Sequence, residues 1–165
     1  MPKRFGGQSF TRQEYIHSKP QTKVTRYALG DTKADYDYVV TLVADHSAEI
    51  GGSALESARI TSNKVISLVT GQPFLIRVLA YPHEIVRAHK FMGFAGADRL
   101  SQGMRKSFGR STDRAAKVNA GQPFLAIHTM EAGLEKAKEA LRRASKKLPV
   151  TSKVIVTPLK AAKSA

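Results

Sequence analysis

The sequence contains no cysteine, and it has few acidic residues for its length. Without cysteine the chain has no disulfides, no thiol catalysis and no zinc site built on cysteine, although this does not fix a redox compartment. No apolar run approaches the roughly 20 residues that a membrane helix needs. No apolar stretch of signal-peptide length follows Met1 either, so we expect a cytoplasmic protein with no membrane partner.

Positive charge is the most informative property of the composition. Lysine and arginine total 27 against 13 aspartate and glutamate, which gives a net charge of +14. A surplus of this size repels itself in a compact chain, and a polyanionic partner is the usual reason that it is tolerated. An acidic membrane would favour a basic helix with bulky apolar residues opposite. In the strongly basic helix of this chain, the residues opposite the charges are alanine and leucine, which suit a protein core rather than a membrane. Nucleic acid is therefore the favoured partner.

The charge is distributed unevenly, and this divides the chain into three parts. Residues 1–33 carry seven basic residues against two acidic ones and predict an extended arm that orders on its partner. Residues 34–158 predict a single α+β core, whose first part, 34–66, is comparatively acidic. Residues 159–165 form a C-terminal tail.

Hydrophobic patterning predicts a mixed or antiparallel sheet with two main helices. Ser53 and Glu56 have the spacing of a capping box before a helix over 54–69, and Thr129 is placed to cap a basic helix over 130–147. Both copies of a repeated Gly-Gln-Pro-Phe-Leu segment, at 71–75 and 121–125, predict the start of a strand. The predicted strands are 36–44, 74–80, 85–91, 125–129 and 154–157.

A long glycine-rich and cationic segment interrupts the core, and residues 92–117 predict a mobile loop. Phe94, Met104 and Phe108 are set among its arginines, where they could stack on splayed bases of an RNA. The alternative is that Phe94 anchors the loop and that the charges of the loop form a solvated face.

The motifs of the common enzyme classes are absent. There is no P-loop and no dinucleotide fingerprint. His83-Glu84 followed by His89 superficially resembles a zinc-protease motif, but the second histidine falls six residues after the first, where a helix would not bring the two together. We therefore expect no catalytic residue, metal, cofactor or small-molecule substrate.

A specific resemblance appears within the cationic segment. Ala95–Arg110 (AGADRLSQGMRKSFGR) resembles the signature of a large-subunit ribosomal protein family, the archaeal and eukaryotic L-ten-e family, which is related to bacterial L-sixteen. Residues 54–59 resemble its first helix, 74–79 with 81–83 its central strands, and 137–144 its basic second helix. These matches run in order along nearly the whole chain, and the short length without cysteine is similar to the archaeal members.

The resemblance implies an α/β-hammerhead-like core that binds large-subunit rRNA near the tRNA A site, beside neighbouring ribosomal proteins. It implies that the basic loop reaches toward tRNA and the peptidyl-transferase region, and that the protein is not catalytic. The rival hypotheses are a free-standing RNA-binding regulator or chaperone and, less favoured, an RNA-processing enzyme. The expected RNA-binding residues are Lys3, Arg4, Arg12, Lys19, Lys23, Arg26, Arg99, Gln102, Met104, Arg105, Lys106, Arg110, Arg114, Lys117, Arg142, Arg143, Lys146 and Lys147.

Overall fold

A computed structural model describes residues 12–68, 72–89 and 108–159. These residues form eight strands and two α-helices, with single 3-10 turns at Gln13–Tyr15 and Glu131–Gly133. In chain order the elements are β1 (Ala28–Gly30), β2 (Tyr38–Ala44), β3 (Ala48–Gly51), α1 (Gly52–Ile66), β4 (Phe74–Val78), β5 (Glu84–Ala88), β6 (Arg110–Val118), β7 (Pro123–Thr129), α2 (Leu134–Ser145) and β8 (Ser152–Pro158).

The main sheet has five strands in the order β1-β4-β7-β2-β8, and every neighbouring pair is antiparallel. The two strands that follow the repeated pentapeptide, β4 and β7, pair with each other, with Ile76 opposite Ile127. Both repeats therefore start a strand, as predicted, and the two strands lie side by side. A smaller antiparallel sheet has the order β3-β6-β5.

The two helices pack against each other and against the main sheet. Helical periodicity predicts an apolar stripe of Leu55, Ala58, Ser62, Val65 and Val69 in α1. The first four are buried, and Val69 lies outside the described residues. In α2 the small side chains Ala137, Ala140 and Ala144 are fully buried beside Leu141, which allows the two helix backbones to approach closely. The prediction of a single α+β domain with two main helices and antiparallel sheets is confirmed.

The predicted caps of both helices are wrong. Helix α1 starts at Gly52, and its N-cap residue Gly51 makes no side-chain capping bond. Glu56 instead accepts hydrogen bonds from Arg59 and from the Thr25 hydroxyl, at 2.6 and 2.9 Å. Thr129 is buried in β7 and donates to the Met130 carbonyl, and the 3-10 turn Glu131–Gly133 precedes α2. Glu56 and Thr129 therefore bond to groups other than the first turns of the helices that local spacing assigned to them.

Two segments that we expected to lie outside the core belong to it. Within the predicted arm, Val24 is buried and Ala28–Gly30 form β1 at the edge of the main sheet. Within the predicted mobile loop, the residues from Arg110 onward form β6, the central strand of the smaller sheet. Residues 92–107, with Phe94, lie outside the described residues.

Glu56 also gives the fold a testable dependence on pH. The hydrogen bonds from Arg59 hold the pKa of this carboxyl below its usual 4.5, against the opposing effect of burial. A depressed pKa contributes stability that is present above the unfolded-state pKa and is lost as the pH falls through the folded-state pKa. We expect Glu56→Gln to lower the free energy of unfolding at pH 7 by about 1.5–3 kcal/mol, the range for a hydrogen bond to a charged group.

Urea unfolding of both proteins between pH 7 and pH 3 measures this effect. The difference between wild type and Glu56→Gln should shrink below about pH 4.5, because the wild-type carboxyl is then progressively protonated. Glu14→Gln removes an exposed carboxylate and serves as the matched control. A difference that stays constant over the whole pH range would rule out the ion pair as its cause.

Candidate nucleic-acid interface

The arm residues from Gln13 to Lys23 lie along the smaller sheet and are held there by side chains. Ser111 on β6 donates to the Ser18 carbonyl at 2.7 Å, and Arg114 Nε donates to the Pro20 carbonyl at 2.6 Å. Lys23 Nζ lies 2.7 Å from Asp113 Oδ2. This part of the arm is thus positioned by the chain itself, whereas the sequence predicted that it orders on its partner.

A groove of about 660 Å³ separates the start of α1, strand β6 and the turn that follows α2. Its walls carry Arg114, Lys146 and Lys147 and also the carboxylates Glu49 and Asp113, and Gly51 lies at its α1 end. The N-cap residue of α1 is Gly51, which has no side chain that could accept a hydrogen bond from the first backbone N–H groups of the helix. Uncapped N–H groups beside lysine and arginine suit an anion such as a phosphate.

Three of the predicted RNA-binding residues already have carboxylate partners within the chain. Besides Lys23, Lys117 Nζ lies 3.0 Å from Glu84 Oε1, and Arg143 Nη2 lies 2.5 Å from Glu139 Oε1. Glu84 is buried, so its pair with Lys117 joins β5 to β6 inside the protein. This pairing favours a structural role for Lys117.

Helix α2 concentrates its uncompensated charge at one end. Lys138 and Lys136 lower the pKa values of Glu135 and Glu139 respectively, chiefly by hydrogen bonding, so both carboxylates are charged at neutral pH. These two carboxylates form ion pairs with Lys136, Lys138 and Arg143. The positive charge that remains lies at the C-terminal end, on Arg142, Lys146 and Lys147.

Apart from Arg114, which is half-buried, the other described candidates are exposed. In the described ranges, no carboxylate lies within ion-pair distance of the following side chains: Arg12, Lys19, Arg26, Arg110, Arg142, Lys146 and Lys147. The remaining candidates fall outside the described residues and stay predictions: Lys3, Arg4, Arg99, Gln102, Met104, Arg105 and Lys106.

Two residues that the sequence did not single out lie beside Phe108. The Arg87 guanidinium carbon lies 4.0 Å from the centre of the Phe108 ring, and Tyr15 lines the same small notch. Neither residue is close to Phe108 in sequence, and each is an ordinary surface residue by type. No signal in the sequence could have brought them together.

In the motif considered for metal binding, His83 Nε2 lies 3.4 Å from Glu84 Oε1, and both residues also contact other groups. The His83 ring Nδ1 lies 3.1 Å from the Tyr81 carbonyl oxygen, and Glu84 pairs with Lys117. Among residues 12–68, 72–89 and 108–159, no three histidine, aspartate or glutamate side chains are placed to hold a metal ion. Neither helix in that part of the chain is long and apolar enough to cross a bilayer.

The fold and this surface define a small basic α+β protein whose unpaired cations suit a polyanion. A family model described as ribosomal protein L16p/L10e matches residues 5–155, so the chain belongs to the ribosomal protein L16p/L10e family. This confirms the predicted family and class, a large-subunit ribosomal protein of archaeal type with a structural rather than an enzymatic role.

The chain is similar to archaeal proteins named large ribosomal subunit protein uL16. The protein from Hyperthermus butylicus is 43% identical over 159 residues, which cover 96% of this chain and 88% of the relative. The protein from Methanococcus maripaludis is 45% identical over 150 residues, or 90% and 87% of the two chains. The protein from Staphylothermus marinus is 41% identical over 157 residues, or 94% and 90%.

Proposed function

We propose that this protein binds large-subunit rRNA near the tRNA A site, and that its cationic segment reaches toward tRNA and the peptidyl-transferase region. The observation that carries the proposal is the groove at the start of α1. It brings the start of α1, which has no side-chain capping bond, together with Arg114, Lys146 and Lys147. These three cations outnumber the two carboxylates of the lining, Glu49 and Asp113, and suit RNA phosphates.

The uneven use of charge supports the same function. Lysines and arginines that pair with carboxylates hold the fold together, as Lys117 does with Glu84. The exposed cations without such partners are spread over the arm, β6 and the end of α2, so one long RNA could contact several of them at once. The proposed position near the A site is supported by the resemblance of Ala95–Arg110 to the family signature.

Reconstitution of large subunits that lack this protein tests the proposal. The purified chain is added to stripped subunits and sedimented over a range of salt concentrations. We expect about one chain per subunit and retention at moderate salt, because several phosphate contacts act together. A chain that stays at the top of the gradient, or dissociates at low salt, would instead support the free-standing RNA-binding regulator.

The proposed role of the cationic segment makes a separate prediction. We expect Arg99→Gln, Arg105→Gln and Lys106→Gln together to leave subunit binding within about threefold of wild type, because the arm, the groove and Arg110 still hold the rRNA. Binding of tRNA to the A site of the reconstituted ribosome should fall by about tenfold or more, since three cations near a polyanion are lost.

The control for this variant is a chain that loses three cations already paired with carboxylates. Lys136→Gln, Lys138→Gln and Lys153→Gln together give the same net charge, and the three lysines contact Glu139, Glu135 and Asp45 at 3.2, 2.8 and 3.3 Å. If both variants reduce tRNA binding equally, overall charge rather than the segment is responsible, and the proposed role of the segment is wrong.

A further inference from the structure

A small notch lies where the chain enters β6, and two aromatic side chains line it. It has a volume of about 310 Å³. Tyr15 comes from the 3-10 turn of the arm and Phe108 from the residue pair that precedes β6, and these side chains are 62% and 65% exposed. Large apolar side chains that converge on one concave site while remaining this exposed are typical of a binding surface.

The Phe108 ring is already part of a cationic stack. Arg87 on β5 places its guanidinium carbon 4.0 Å from the ring centre, within the range of a cation–π contact. Arg110 contributes a second guanidinium to the notch wall. An aromatic ring backed by arginine offers a nucleobase a stacking surface and offers the attached phosphate a positive charge.

The backbone holds Phe108 in this position. A Cβ atom added to Gly109 would lie 2.6 Å from the carbonyl carbon of Ala88 and 2.8 Å from the His89 nitrogen, so only glycine allows the chain to lie this close to the end of β5. Phe108, the preceding residue, is thereby fixed beside Arg87.

The opposite wall is also anchored. Gln13, in the same turn as Tyr15, donates to the His83 carbonyl at 3.2 Å, and Ser111 donates to the Ser18 carbonyl at 2.7 Å. Both walls are therefore formed before any ligand arrives. Little ordering remains to be done on binding, which lowers its entropic cost.

The charge of the lining distinguishes RNA from protein as the occupant. The described side chains that line the notch include Arg87, Arg110 and His17 but no carboxylate. A protein segment would need aromatic and acidic groups to match this surface, whereas every nucleotide carries both a flat ring and a negative charge. The net charge of +14 favours the nucleotide further.

We propose that the notch binds one unpaired nucleobase of RNA, stacked on Phe108 and Tyr15, with its phosphate beside Arg110. This inference rests on the proposed RNA-binding function and adds to it a site for a base rather than for the RNA backbone alone. A base inside a duplex is stacked on both faces and paired along one edge, so it cannot stack on a protein side chain. The site therefore takes a bulged, looped or terminal nucleotide.

A fluorescent variant tests the proposal directly, because the natural chain contains no tryptophan. In the full-length chain, Phe108→Trp places a single indole in the notch, and Leu68→Trp places one on an exposed position after α1 as the control. We expect purified large-subunit rRNA to quench the first indole and not the second, and a fully paired RNA duplex to quench neither. Equal quenching of both indoles, or quenching of Phe108→Trp by the duplex, would overturn the proposal.

Affinity measurements separate stacking from charge. We expect Phe108→Leu to weaken binding of the rRNA by about 5- to 150-fold, which is the range for one base–aromatic stack, and Phe108→Trp to retain wild-type affinity. The salt dependence of binding should stay unchanged for Phe108→Leu, whereas Arg110→Gln should reduce the slope by about one ion. Circular dichroism of each variant establishes that it is folded.

The outcomes for the base site and for the proposed function are distinct. If wild type and Phe108→Leu bind the rRNA equally well, the base site is wrong and the rRNA-binding function stands. If Phe108→Leu binds rRNA normally but fails to enter the large subunit, the notch contacts a protein, and the base site is again wrong. If wild type does not bind the rRNA at all, the proposed function itself fails.

Discussion

Replacing Arg142, Lys146 and Lys147 together by glutamine should weaken rRNA binding by about 10- to 100-fold near 0.15 M salt. These three side chains carry the uncompensated charge at the end of α2, and Lys146 and Lys147 also line the groove at the start of α1. With each phosphate contact that is lost, binding of the protein releases fewer counterions from the RNA. The slope of log affinity against log salt should therefore become shallower by about two to three.

The ion-paired variant Lys136→Gln, Lys138→Gln and Lys153→Gln is again the matched control, because it has the same net charge. Its cations are already held by carboxylates, so its slope should change by less than about one. Filter binding or fluorescence anisotropy with large-subunit rRNA, from low to moderately high salt, gives both slopes. Identical slopes for the two triple variants would show that the end of α2 does not contact phosphates.

Gly30→Ala should destabilise the fold by about 2–5 kcal/mol, the largest effect that we expect from a single methyl group. Gly30 has a φ angle of +119°, which side chains rarely adopt, and an added Cβ would overlap the carbonyl oxygen of Phe74 in the neighbouring strand. The same carbonyl accepts a hydrogen bond from Asp31 at 3.0 Å. To accommodate the methyl group, β1 has to move away from β4.

Gly121→Ala is the control, because Gly121 also has a positive φ angle, of +78°, but has open space around its Cβ position. It should cost only about 1 kcal/mol, from the backbone conformation alone. Chemical unfolding gives the two free energies. Hydrogen exchange should show faster exchange at the Asp31 amide in Gly30→Ala only. Equal destabilisation by both substitutions would mean that β1 is not packed against β4 as described.

The elements with strong local patterns could be predicted from the sequence. Strand β2 is rich in valine and leucine, and β8 contains Val154, Ile155 and Val156 in succession. The buried stripe of α1 was identified correctly because helical periodicity depends only on spacing along the chain. These elements need no knowledge of their neighbours.

Strand β6 could not be predicted because its sequence, Arg-Ser-Thr-Asp-Arg-Ala-Ala-Lys-Val, has little strand character in its first half. It is a strand because β3 and β5 hydrogen-bond to it on both sides. β1 is similar: its three residues acquire their structure from pairing with β4, more than 40 residues later. Such tertiary context overrides local propensity.

The candidate site was predictable as a property of the whole chain but not residue by residue. Composition alone identifies a partner of negative charge. Which cations remain available depends on distant acids, since Asp113 lies 90 residues from Lys23 and Glu84 lies 33 residues from Lys117. The same applies to the notch, where Tyr15 and Phe108 meet only because the arm lies along β6.

Strand β6 lines both the notch, through Arg110 and Ser111, and the groove, through Thr112 to Ala115. A regular strand extends by about 3.3 Å per residue, so Arg110 and Arg114 are at most about 13 Å apart along β6, whose pairing register with β5 shifts between Ser111 and Asp113. Because β3 and β5 pair with β6 on its two sides, the sheet holds the two sites at a set spacing. Under the proposed function, an RNA that engages both sites has to place an unpaired base and a nearby phosphate at this spacing, so binding would select RNA by its three-dimensional shape.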